Sequence, residues 1–337
     1  MFNNDESEWK YRFHKGNIGY SGNLRACNSW SSSRNFFEIF IYSFHMPLFI
    51  AVSGYLVPTQ KLNYQSRIDI LHKYWYRLIV PWICAVNIYF IIKNFPDIAK
   101  LDLIAYVELY YKPYFHLWFT VAYLLYLYLF YLLNVKLNLK PFIIAILSLP
   151  ICIIFKFYTP SFTNPFPAQI WWVINNLRPY YFIFFILGIL IRNYGAKISD
   201  IAEKRLLFIS GIMSMAFICM VIYNFFYPLQ IFDAALYFFN VPFALFIIIC
   251  CKRRVFPRSR LLEFIGCYSY PFYLWHMVGV LIAINIVKND HSAFYYLICL
   301  FWNVLIGLLC KYAKNNRHLN YYFIGTNNIA EFDRRQP

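Results

Sequence analysis

Nine apolar runs, separated by short polar stretches, divide the chain at about 37–56, 74–95, 114–135, 141–158, 170–191, 206–227, 231–251, 261–287 and 293–310. Each is close to the roughly 20 residues that a helix needs to cross the hydrocarbon core of a bilayer. The pattern predicts an all-α, polytopic transmembrane bundle with about nine membrane helices. No internal repeat, heptad or separate soluble domain interrupts it.

The polar stretches alternate in charge. Basic residues follow the first run (Lys61, Arg67, Lys73), the third (Lys136, Lys140), the fifth (Arg192, Lys197, Lys204, Arg205), the seventh (Lys252 to Arg260) and the ninth (Lys311, Lys314, Arg317). The stretches between them are neutral or mixed. By the positive-inside rule these five face the cytoplasm, which predicts a cytoplasmic C-terminus in the inner (cytoplasmic) membrane. An odd number of crossings then puts residues 1–36 outside. That front segment carries Asp5, Glu6, Glu8, Lys10, Arg12, Lys15, Arg25 and Arg34, too many charges for a span, and it lacks the apolar core of a signal peptide. The expected division is an irregular polar segment over 1–35, a membrane domain over 36–313 and a basic cytoplasmic tail over 314–337, with regular helix beginning near Asn35 or Phe36.

Composition narrows the class further. The 337 residues are 61% hydrophobic and 23% aromatic but only 14% charged, which excludes an ordinary soluble domain of this length. The net charge of +16 is explained by cytoplasmic loops and needs no nucleic-acid partner. The nine cysteines lie mostly within apolar runs, without a CxxC pair or a metal-ligand spacing, and read as small packing residues.

Candidate chemistry is carried by a few polar side chains at membrane depth. His45 stands near the middle of the first run, followed by Met46 and Pro47 and then by Ser53 and Gly54. A proline bends the helix and frees a carbonyl, and Ser and Gly allow another helix to come close. Arg77 precedes Pro81 by four residues; either it snorkels to the headgroups or it meets the phosphates of a cytosolic donor. His116 and Trp118 near an outer helix end fit an interfacial aromatic belt or a substrate contact. Arg178 lies deeper, before Pro179, and His276 follows Tyr270, Pro271, Tyr273 and Trp275. Two histidines and two arginines at depth imply a polar interior, because each is expensive against lipid.

These motifs occur in a recognisable order: HMPLFIAVSGY from His45, R-x-x-x-P at Arg77 and Pro81, HLWF from His116, RPYYFIFFILG from Arg178, and YSYPFYLWH ending at His276. Each is weak alone; the ordered set resembles the acyltransferase 3 family of multi-pass membrane O-acyltransferases, nearest its fucose 4-O-acetylase-like branch. The resemblance implies transfer of an acyl group, usually acetyl, from a cytosolic acyl-CoA to a hydroxyl of an envelope or surface glycan, free or lipid-linked, without a metal. Carried onto this chain, it implies catalytic roles for His45, His276 and Arg178, donor binding by Arg77 and acceptor binding by His116, Trp118 and Tyr273. A sugar hydroxyl needs a base, and imidazole titrates near neutral pH; a cation suits the oxyanion of the thioester. A transporter or flippase for a lipid-linked sugar is the rival reading, disfavoured by the lack of paired, interrupted helices.

The family places one further helix ahead of HMPLF, reading like IDxxKGIxxxLVxxGH, whose last histidine is its expected base. Here residues 11–30 read YRFHKGNIGYSGNLRACNSW instead. With codons shifted by one base, permitted choices restore I-D-F-I-K-G-I followed by an apolar run and Gly-His, at the expected distance from HMPLF. The resemblance therefore implies a first membrane helix lost to a frameshift, ten helices in the intact design, and little or no activity in the chain as written.

Overall fold

The computed structural model describes residues 36–62, 67–94, 106–107, 109–110, 113–114, 116–157, 177–227, 230–257, 259–287, 293–313 and 316–325. The expectations for residues 1–35 and for the tail beyond 325 lie outside the described residues. Every regular element described is helical: α1 (Phe36–Tyr55), α2 (Arg67–Tyr74), α3 (Val80–Asn94), α4 (Trp118–Tyr131), α5 (Pro141–Phe157), α6 (Phe182–Tyr194), α7 (Asp200–Phe226), α8 (Gln230–Lys252), α9 (Arg260–Cys267), α10 (Ser269–Val287) and α11 (Ala293–Ala313). The first described helix covers Phe36–Tyr55, and where helix begins ahead of it lies outside the described residues.

Six of the described helical segments are long and apolar enough to cross a membrane, and three shorter apolar helices, in α1, α5 and α6, complete the set. The protein is thus an all-α, multi-pass membrane bundle. Only 11% of the most apolar window of α11 and 22% of that of α7 are buried within the protein, so these two helices line its perimeter and give their leucines and phenylalanines to lipid. α1 is central, packed against α6, α7 and α8, while α10 pairs with α11 and touches α3.

The α1–α6 crossing is a contact between backbones. A Cβ on Gly54 would collide with the Phe185 carbonyl, and one on Gly188 with the Ala51 carbonyl and the Tyr55 amide. With no hydrophobic drive between helices in lipid, such close approach is what holds them. Elsewhere, aromatic donors on one helix bond carbonyls of another: Trp82 Nε1 to Leu117 O at 2.9 Å, Tyr89 Oη to Leu274 O at 2.8 Å, Tyr270 Oη to Leu78 O at 2.8 Å and Trp302 Nε1 to Trp275 O at 2.8 Å.

Two boundaries differ from the sequence reading. The apolar run at 261–287 is two helices: Tyr268 (φ −106°, ψ 20°) ends α9, none of whose residues is buried, and α10 starts afresh. The run at 74–95 continues a helix that begins at Arg67 and passes through a wide π-turn, Trp75–Ile79, closed by Val80 N–H on Trp75 O. Pro81 forbids an N–H on Arg77 O, and the wide turn absorbs that gap.

The basic stretches gather at one end of the bundle. Thr59 Oγ1 donates to Asn193 Oδ1 at 2.7 Å, and Thr59, Asn134, Arg192 and Lys197 rim one open cleft of about 640 Å³. Lys252 Nζ reaches Gly195 O at 2.9 Å and Glu203 Oε2 at 3.0 Å, and Arg253 joins Asp200 and Glu203. Residues 316–325, at the start of the stretch expected to form a basic cytoplasmic tail, pack against the bundle. Ile324 is buried beside Ala313, Phe323 O accepts from Trp275 Nε1 at 2.9 Å, and Gly325, at φ +72°, abuts the Arg77 carbonyl left free by Pro81.

Candidate active site

Pro47 shapes the first component. Its ring removes the amide that would bond Ser43 O, and α1 keeps going only because helix neighbours satisfy the gap. His45 sits between these two residues, half-buried. Its Nδ1 lies 3.0 Å from Ile41 O, one turn back. A carbonyl only accepts, so Nδ1 carries the hydrogen and Nε2 keeps its lone pair. Four residues on, Phe49 extends the same face, packs tilted against Phe119 (4.8 Å between ring centres) and stacks on Tyr273 (5.9 Å).

His276 on α10 uses the same device. Its Nδ1 lies 3.0 Å from Phe272 O and 2.9 Å from Tyr273 O, which again leaves Nε2 as the proton acceptor. Its ring meets that of His116 at 4.5 Å, tilted by 42°. His116 also packs edge-on to Tyr273 at 4.6 Å and to Tyr89 at 6.2 Å, and its carbonyl accepts from Tyr273 Oη. Both ring nitrogens of His116 are buried without a hydrogen-bond partner. The sequence put His116 at an outer rim; the structure packs its ring among Tyr89, Tyr273 and His276.

Arg178 arrives from a different direction. It takes a left-handed backbone (φ 46°, ψ 58°), uncommon for a residue other than glycine, just before the turn Pro179–Tyr181. Tyr126 Oη holds that backbone by donating to Arg178 O at 2.6 Å. The guanidinium lies 4.2 Å over the Trp118 ring, which itself stacks on Tyr181 at 6.0 Å. A buried arginine on an indole face is cation–π anchored. His45 lies within electrostatic reach of both Arg178 and His276. Six sequence-predicted residues, His45, His116, Trp118, Arg178, Tyr273 and His276, therefore come from four separate segments to one region.

Arg77 is the exception. It sits on the wide turn at the basic end, within electrostatic reach of Tyr74 and Tyr123. Tyr123 packs on Phe119 (6.0 Å), and Phe119 on Tyr273 (5.4 Å), so aromatic rings separate Arg77 from the histidines. Sequence reasoning missed Thr120, whose hydroxyl meets Tyr270 Oη at 3.3 Å, and Asn240, whose amide reaches Ser43 O. For Asn240 a signal existed: a lone carboxamide near the middle of a largely apolar run.

An apolar bundle that gathers imidazoles and a guanidinium between its helices defines a multi-pass membrane protein with a polar cluster among its spans. The acyltransferase domain of the acyltransferase 3 family matches residues 21–312, most of the chain, and the protein belongs to that family. No curated protein and no solved structure matches it.

Proposed function

We propose that the protein transfers an acyl group, acetyl first among the candidates, from a cytosolic acyl-CoA to a hydroxyl of an envelope or surface glycan. Family membership supports the reaction class. The observation that carries the chemistry is the pair of histidines fixed through Nδ1 on their own helices, each with Nε2 left basic, beside Arg178. In this reading the acceptor hydroxyl gives its proton to an imidazole Nε2 as its oxygen bonds the thioester carbon. Negative charge on the carbonyl oxygen is met by Arg178. The carbon–sulfur bond then breaks, and the imidazolium returns the proton to the thiolate. His116, Trp118 and Tyr273 hold the acceptor. Arg77 and the basic end, taken as cytoplasmic, meet the donor's phosphates, with acyl-CoA as co-substrate and no metal.

The same reading, in its fucose 4-O-acetylase-like form, places the strongest base on a leading helix that residues 11–30 encode only in a shifted frame. The chain as written then works slowly or not at all. The reading is tested by expressing the frame-corrected gene in a host whose surface glycan lacks O-acyl groups and following the glycan by mass spectrometry. One acetyl ester per repeat is expected. Arg178→Lys in that background lowers the rate about 10²–10³-fold, because a point charge cannot replace the planar stack on Trp118. An unacylated glycan from a well-inserted, frame-corrected protein contradicts the proposal.

A further inference from the structure

From Ala234 to Cys251, α8 carries one carboxamide, Asn240, which is only 3% exposed. Its Nδ2 donates to Ser43 O at 2.9 Å and to Leu236 O at 2.8 Å. Both partners are carbonyls, so the amide cannot be the other way round. Ser43 is four residues before Pro47 and is therefore the residue whose carbonyl Pro47 leaves without its helical N–H. Asn240 supplies the missing donor from another helix. Around this bond α1 and α8 pack apolar side chains, Leu48, Leu236 and Ile247 among them, with Phe44 on Phe243 at 5.1 Å. His45 stands between the freed carbonyl and the proline that freed it.

We propose that Asn240 is a positioning residue for His45: its amide replaces the hydrogen bond that Pro47 removes and so fixes this turn of α1, and with it the direction of His45 relative to His276 and Arg178. The inference rests on His45 being a reacting group for its functional meaning, but its structural content stands without it. Loss of the amide leaves the Ser43 carbonyl unpaired at the turn where Pro47 already removes a helical bond, so that turn loosens and His45 swings out. Giving position 47 an N–H restores the ordinary helical bond to Ser43 O and makes Asn240 dispensable. Ordinary packing of a polar side chain gives no such dependence on position 47.

The test uses the full chain in detergent and reads histidine modification by diethyl pyrocarbonate, site by site, by mass spectrometry, with the exposed His318 as reference. Asn240→Leu is expected to raise the relative reactivity of His45 about ten-fold, the scale that leaving one buried acceptor unpaired sets. Asn240→Leu with Pro47→Ala is expected to return it to within about two-fold of the parent. Should the leucine variant not fold, Asn240→Ser removes the amide with less bulk and carries the same expectation. Unchanged His45 reactivity in the single variant overturns the proposal, even if the protein melts earlier. So does a double variant as reactive as the single one. Because the readout is not acyl transfer, a failure of the proposed function leaves this result interpretable.

Discussion

Correcting the reading frame across residues 11–30 is expected to raise glycan acylation at least about a hundred-fold over the chain as written. A positioned general base is worth roughly 10²–10⁴-fold, and the proposal places the missing base on the missing helix. His45 and His276 remain, with Nε2 lone pairs available, so the uncorrected chain is expected to retain at most a slow background. Both proteins must be compared at equal membrane abundance, since a restored helix also changes insertion. Equal rates in the two would remove the frame argument. So would coding DNA whose shifted frame meets stop codons in this stretch.

Gly188→Leu is expected to abolish the native bundle. The α1–α6 contact brings the Gly188 Cα against the Ala51 carbonyl and the Tyr55 amide, and backbone cannot yield as a side chain can. Overpacking costs about 1–3 kcal/mol where neighbours adjust, and the upper end or more applies here. Against a total stability of about 5–15 kcal/mol, that is a large loss at the helix on which His45 sits. Gly266→Ala is the control, because nothing lies within 4 Å of its Cβ position. Thermal unfolding and size-exclusion profiles in detergent report both. A Gly188→Leu protein that elutes and melts like the parent would show that the crossing is not the structural centre.

Most of the fold could be read from the apolar runs, since lipid demands long apolar helices and leaves few alternatives. The charge alternation also located the loops that gather at one end, because Lys252 and Thr59 do meet the 193–195 segment. The break at Tyr268 was not legible: the residues on both sides are apolar, and a surface helix and a span look alike without their neighbours. Six candidate residues that the structure brings to one region could be picked out singly, because a polar side chain at membrane depth is costly wherever it occurs. Their mutual geometry could not, because contacts such as His116 on His276 join positions 160 residues apart. Asn240 illustrates the same limit. Its partner is a carbonyl, and carbonyls carry no sequence signal; only Pro47, on a different helix, marks which one is free. The docking of residues 316–325 beside Arg77 was not legible, because their partner is a backbone carbonyl, which carries no sequence signal.

The central claim is acyl transfer from a donor at the basic end to a hydroxyl, through the histidine and arginine cluster. Membrane vesicles containing the frame-corrected protein, with the basic end facing outward, can be given isotopically labelled acetyl-CoA and assayed for labelled ester on the glycan. The account predicts labelled ester with the parent and a loss of about 10²-fold or more with His276→Ala. Labelling that proceeds undiminished without His276, or glycan that crosses the membrane without gaining any ester, would contradict it.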